Sequence, residues 1–343
     1  MKAELISAAD PRWPAILDHV PHDVYHLPAY VALSAETTDP GEAAALVVST
    51  PHGEGLLPLV IRDVPGARGV RDAVTPYGYP GPVGAFGAEA ACAAFEYLRE
   101  QGVISLFARL HPLLNPAPED LASVGALVEH GETVSIDLSL TDEDFWRQTR
   151  ANHRRNINSA LRAGHRAYVD EEFEHLNAFV RLYHSTMERV DATRYYLFGE
   201  EYFQGLRDAV GNRLHLCVVE IDGEITAGAL FSEVGGIVQY HLSASDDRFA
   251  KERPTKLLIH FARSWAKERE NRWLHLGGGL GAVRDTLFAF KAGFSNLRQP
   301  FRTWRVVTDE RRYLALVRAT SSTSDGLDRA GFFPEYRRLV DTL

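Results

Sequence analysis

Lys291 lies in the run Leu287-Phe-Ala-Phe-Lys-Ala-Gly-Phe294, shortly after the glycine turn His275-Leu-Gly-Gly-Gly279. A cation among Phe288, Phe290 and Phe294 has two physical uses. Its stem can lie along apolar surface while the head reaches water, or its charge can be fixed in a poorly hydrated pocket. The second arrangement suits a reaction that develops an oxyanion, acyl transfer foremost. No carboxylate stands out as a general base, and His275, just before the glycines, reads as structural.

The bulk numbers remove several other classes. A net charge of −9 argues against a general DNA or RNA binder, since phosphate affinity comes from clustered Lys and Arg. One local exception stands out. Between Arg147 and Arg166 lie Arg150, Arg154, Arg155 and Arg162, with no Asp or Glu. A second group is Arg298, Arg302 and Arg305. A basic strip on an acidic protein can hold a phosphate-rich ligand on one face. Cys92 and Cys217 fit neither a metal spacing nor a disulfide framework, and no cluster of ligands suggests a metal site. No apolar run reaches the length of a membrane span and the N-terminus lacks a signal-peptide core, so cytoplasm is the expected compartment.

The elements that must position Lys291 follow from local pattern. In the first half, residues 43–49 and 55–62 read as a hairpin across Pro51 to Gly55. Thr75 to Pro82 alternates proline and glycine with aromatics and must be a loop. Residues 88–101 read as a helix, 103–110 as a strand, 113–119 as a loop and 133–138 as a strand ending a first domain. Helices are expected from Thr141, over 150–163 and over 174–190. The clearest logic comes next. Strands at 214–221, 225–233 and 237–243 are joined by Asp222-Gly223, which wants positive φ at both positions, and by Gly235-Gly236. Then follow a helix over 254–270, a strand at 273–276, a helix over 285–293 and a strand at 301–307.

An antiparallel meander, helix, strand, helix and strand is the core order of the GNAT acyltransferase fold. With Val24 to Tyr30, Asp72 to Tyr79, Phe107 to Pro112, Arg154 to Gly164, His275 to Gly279 and Phe290 to Phe294, the chain resembles the Fem-type branch of that superfamily over nearly its whole length. The resemblance implies an α/β fold with mixed sheets: two tandem GNAT-like domains at 1–138 and 139–310, and a segment 311–343, helical at first, packing back on the first domain. No sustained heptads occur, so the coiled-coil arm common in peptidoglycan-modifying members is not expected. The function implied is transfer of an aminoacyl group from aminoacyl-tRNA to an amine of a small-molecule or peptide-like acceptor. No cofactor is required beyond that co-substrate.

On the same resemblance Lys291 matches the family's lysine, thought to support charge on the reacting ester or to protonate the leaving oxygen. Phe290 positions the adenosine end or walls the pocket. Arg154 and Asn158, four apart on one helix face, match an acceptor-contacting helix, with Arg154 gripping a phosphate or carboxylate. Tyr30, Tyr77 and Tyr79 are acceptor-side aromatics. Arg189, Asp191 and Tyr195 run from a helix end into a loop suited to a lid. Tyr240 and His241 finish the third meander strand, where GNAT folds open a V-shaped gap, and His241 could take the amine proton. The alternative donor is acyl-CoA. Ordinary GNAT enzymes cradle its pyrophosphate with a glycine-containing loop at a helix N-terminus. The corresponding stretch, Ser245 to Thr255, has no glycine and three acids, which disfavours that donor, although Lys251, Arg253 and Lys256 could attract phosphate.

Overall fold

The computed structural model describes residues 1–115, 118–190, 197–320 and 331–338. They cluster into two compact units, Met1–His130 with Pro300–Leu343, and Gly131–Gln299.

In the first unit the chain forms β1 (Lys2–Ser7), α1 (Arg12–Leu17), α2 (Pro28–Thr37), β2 (Glu42–Thr50), β3 (Gly53–Asp63), β4 (Arg71–Val74), β5 (Val83–Gly84), α3 (Ala88–Glu100) and β6 (Val103–Arg109). β7 (Ala126–Asp137) carries the chain out of the unit. The central strands are buried over nearly their whole length, so they read as continuous apolar runs rather than alternating ones. Small residues Ala90, Ala91 and Ala94 bring α3 close to Leu46, Val48, Leu57 and Leu59. The ladders β1–β2, β2–β3 and β3–β4 are antiparallel, and β4–β6 is parallel.

The second unit contains α4 (Asp142–Gln148), α5 (Ala151–Arg162), β8 (Arg166–Asp170), α6 (Leu176–Arg189), α7 (Glu200–Val210), β9 (Leu214–Ile221), β10 (Glu224–Val234), β11 (Ile237–Ser245), α8 (Pro254–Glu268), β12 (Trp273–Gly277) and α9 (Thr286–Lys291). Its strand order is β7-β12-β11-β10-β9-β8. Asp222 and Gly223 both take positive φ, 51° and 82°, as the two-residue hairpin demands. Alternation along β10 fixes its two faces. Ala227 and Ala229 join the core with Leu258 and Ala262 of α8. Gly228 between them faces α6, where Phe179 leaves no room for a side chain, 2.9 Å from an added Cβ.

The two units therefore repeat one order: a strand, two helices, a three-stranded antiparallel run, a helix and a parallel strand. This is the tandem arrangement expected. The longest described helix, α8, has 15 residues, so no arm-length coiled coil is present among the described residues.

One strand departs from the sequence reading. The strand expected at 301–307 to close the second unit is β13 (Arg298–Val307), and it pairs antiparallel with β6 of the first. The cause is Trp304 and Val306, which bury against Phe86, Ala94 and Leu106. After it, α10 (Glu310–Thr320) places Tyr313 and Val317 against Ile104 and Val64. Residues 331–338 are tied to β4 by Arg337 and Tyr336, which both donate to Asp72, the latter at 3.1 Å.

Candidate active site

The second unit builds a site where β11 and β12 part. Their parallel ladder runs from Ile237/Trp273 to Gln239/His275, and β11 continues past β12 to Ser245, still paired with β10 on its other edge. β12 ends in Gly277, whose φ of 73° turns the chain away from the sheet. That conformation suits a glycine. The next residues make a tight loop. Gly279 has no space for a Cβ, which would lie 2.2 Å from Val283 O and 2.3 Å from Asp285 Oδ1. Asp285 holds both ends of the loop. Its Oδ2 accepts from Leu280 N at 2.9 Å, and its Oδ1 caps α9 by accepting from Phe288 N at 2.7 Å.

α9 projects Lys291 back under this loop. The side chain is 8% exposed. Its Nζ donates to Gly278 O at 2.7 Å and lies 5.8 Å from the ring centre of Tyr240, just past the end of the β11–β12 ladder. Gly278 O is the one hydrogen-bond acceptor the ammonium has among the described residues. Burial pushes its pKa down to about 8, against a smaller upward pull from Asp285. The group is therefore a desolvated cation with donor capacity to spare, an arrangement that favours an incoming anion. Burial also raises the Tyr240 phenol to about 12, so it stays protonated through the physiological range.

The helix carrying Lys291 is docked on α5 by a residue that sequence reasoning missed. His153 is buried, and its Nε2 lies 3.0 Å from Phe290 O. Its ring packs on Phe290 and Phe294, centroids 5.6 and 4.7 Å away. Burial lowers its pKa to about 4, leaving a neutral imidazole that gives its Nε2 proton to the Phe290 carbonyl. Gly293 lets the ring approach; a Cβ there would lie 2.4 Å from Nε2. Arg150 N donates to Gly293 O at 2.8 Å, closing the same joint. The clue in the sequence was the small residue between Lys291 and Phe294, but its partner lies far back along the chain.

The other sequence-derived residues fall into separate groups. Phe290 is half-buried and packs edge-on against Phe294. Arg154 is half-buried and donates to Trp146 O at 3.2 Å, while Asn158 is exposed on the same helix. Tyr240 and His241 are neighbours on a strand and point to opposite faces. Tyr240 turns toward Lys291, whereas His241 meets Tyr202 of α7, with Nε2 3.1 Å from the phenol oxygen. Arg189, read as part of a lid, is ion-paired with Asp247. Asp191 and Tyr195 lie outside the described residues.

Tyr30, Tyr77 and Tyr79 belong to the first unit. Tyr30 is buried and its hydroxyl donates to Tyr77 O at 3.0 Å, bracing the loop. Tyr79 is half-buried and meets Tyr25 and Phe301 edge-on, at 5.9 and 5.5 Å. The loop is held further by His26, whose Nε2 sits 2.9 Å from Gly81 O, and by Asp23, which accepts from His111 at 3.0 Å.

In the stretch Ser245 to Thr255, expected to be a poor pyrophosphate cradle, four amides are occupied within the loop. Arg248 N donates to Asp246 Oδ1 at 2.8 Å, and Phe249, Ala250 and Glu252 donate to carbonyls of residues 246, 247 and 249. Among the described residues no group of three or more metal-ligating side chains comes together, and no helix is long and apolar enough to cross a membrane.

Residues 147–285 match the family model for the acetyltransferase (GNAT) domain, a stretch that ends just before Lys291. Among solved structures, FemX shares 15% identity at a TM-score of 0.72, with 92% of this chain and 99% of that one covered. L-PGS from Bacillus licheniformis shares 16% at 0.58, covering 89% and 94%. The C-terminal domain of a protein assigned as a lysylphosphatidylglycerol synthetase from Agrobacterium fabrum shares 17% at 0.57, covering 93% and 98%. A search of curated proteins by sequence finds no match. Residues 147–285, from the end of α4 past β12, thus match a GNAT domain, and the chain shares its fold with FemX.

Proposed function

We propose that the protein transfers an aminoacyl group from aminoacyl-tRNA to an amine of a small-molecule or peptide-like acceptor. The observation that carries this reading is the buried Lys291 ammonium beside Gly278 O, where β11 and β12 part. The amides of Arg248, Phe249, Ala250 and Glu252, already bonded within their loop, favour this donor over a pyrophosphate-bearing one. The structural likeness to a protein named for making lysylphosphatidylglycerol, an aminoacyl ester, points the same way.

In the proposed reaction the acceptor's neutral amine attacks the ester carbonyl. The C–N bond forms, and the carbonyl oxygen takes the negative charge. An ammonium in a site of low dielectric steadies that charge far better than one in water. Collapse of the intermediate breaks the ester C–O bond. The ribose oxygen leaves with a proton from Lys291, which regains one from solvent, and the attacking nitrogen releases its own proton to solvent. With a pKa of about 8, roughly nine-tenths of Lys291 is protonated at pH 7 and yet it is a better acid than an ordinary lysine. Phe290 and Tyr240 supply the walls. We also propose that Arg154 and Asn158 on α5 serve the acceptor, with the enzyme working in the cytoplasm.

The second reading, transfer from acyl-CoA, is favoured by the match to an acetyltransferase domain. A donor assay separates the two. Purified protein given charged tRNA and candidate amines is expected to form an amide product that disappears after RNase treatment. Product formed from acyl-CoA alone would establish the alternative.

A further inference from the structure

Lys291 is the last residue of α9, a helix of six residues. A helix so short has almost no stability of its own, and its final carbonyls lack partners within it. The ammonium adds a pull outward. It is buried, and reaching water would recover the cost of its desolvation. Groups outside α9 must therefore hold its end in place.

Three side chains reach the carbonyls there. Arg150 Nη1 donates to Ala289 O and Arg298 Nη2 to Ala292 O, both at 3.3 Å, but the first arginine is exposed and the second half-buried. His153 is 3% exposed and its Nε2 is closer, 3.0 Å from Phe290 O. That carbonyl belongs to the peptide that joins Phe290 to Lys291. The imidazole also fills the corner between the rings of Phe290 and Phe294, a place open to it because Gly293 has no Cβ. A dry donor anchors better than an exposed guanidinium, since water cannot stand in for its bond. The charges that face the imidazole are cations, Arg150 on its own helix and Lys256 of α8, which donates to Asn156 on α5. Asp285 is the charge that faces the ammonium.

We infer that His153 is a positioning residue for acyl transfer: its Nε2–H, held on Phe290 O, fixes the end of α9 so that the Lys291 ammonium stays in the dry gap beside Gly278 O. This role rests on the part given to Lys291 in the proposed reaction. Without the donor, Phe290 O keeps only the Gly293 amide, 3.0 Å away in the same turn, and the tie to α5 at that peptide is gone. The side chain can then rise toward water. Burial is the main cause of the acidity of this lysine, with Asp285 pulling the other way, so a wetter ammonium titrates at higher pH. Its aim suffers as well, and a shift of about 1 Å at a reacting group costs on the order of 100-fold in rate.

Two substitutions separate the donor from the ring. His153→Phe keeps an aromatic ring and removes the Nε2 donor, whereas His153→Gln keeps a donor at that place and removes the ring. The acidity of Lys291 is read without substrate, from the pH dependence of its labelling by acetic anhydride, followed on the tryptic peptide by mass spectrometry. The midpoint is expected at about 8 in wild type. It should rise by at least about one pH unit in His153→Phe and stay within about half a unit of wild type in His153→Gln. With charged tRNA and an accepted amine, kcat should fall about 10- to 100-fold in His153→Phe at unchanged KM, and His153→Gln should recover most of it. A folded His153→Phe protein with the wild-type midpoint and kcat would overturn the role. So would a His153→Gln protein that titrates as high as His153→Phe, since the ring alone would then matter. Should His153→Phe not fold, His153→Gln decides by itself: a wild-type midpoint supports the anchor and a raised one overturns it. A raised midpoint in His153→Phe, in a protein that makes no amide from charged tRNA, would leave His153 holding the ammonium and sink the donor reading instead.

Discussion

At the scale of single residues, Lys291 is defined by what surrounds it rather than by its type. The run of phenylalanines announced a desolvated cation, and the buried amine follows from it. The partner, Gly278 O, could not be foreseen, because every residue has a carbonyl and only the loop geometry selects one. His153 escaped for a similar reason, since its importance lies in Phe290 O, far along the chain. The residue-scale prediction concerns pH. In the proposed reaction the ammonium is the active form, and its pKa is depressed to about 8, so it is lost as pH rises through that value. The kcat/KM of wild type should fall about tenfold per pH unit above pH 8. Asp285 raises this pKa, so Asp285→Asn should move the break to lower pH, since asparagine can still cap α9. A rate flat to pH 10 would show that the lysine is not titrating in the rate-determining chemistry.

At the scale of elements, the sequence was most legible where chain chemistry leaves one choice. Asp222-Gly223 and Gly235-Gly236 demanded turns, and the meander around them followed. It was least legible where polar residues build strands. β8, Arg-Ala-Tyr-Val-Asp, is short and charged, and it forms because β9 offers an edge to pair with. β7 starts well before the expected Thr133, its apolar opening Ala126-Leu127-Val128 being cut off from the rest by exposed Glu129 and His130. The junction before α8 carries its own prediction. Arg253 in the left-handed region costs about 1 kcal/mol, a penalty that glycine does not bear. Arg253→Gly should therefore raise unfolding stability by up to about 1 kcal/mol in denaturant titration. A loss of stability would mean that the arginine supports the fold instead.

At the scale of the whole molecule, the repeated order of strands and helices in the two units was partly visible. The second copy could be read from its hairpins. The first was obscured because its leading strand and helices, residues 2–37, lack a clean period; α2 in particular is buried and apolar on several sides. The placement of β13 with the first unit depends on Trp304 finding that core, a tertiary preference with no local signature.

The central claim is that one buried ammonium drives acyl transfer, and Lys291→Met tests it most directly. Single-turnover rates with charged tRNA and an accepted amine should fall by about 100- to 1,000-fold in the variant, the size expected for losing one oxyanion-stabilising donor. Circular dichroism and thermal unfolding should show the native fold retained. A variant that keeps wild-type turnover while folded would contradict the account.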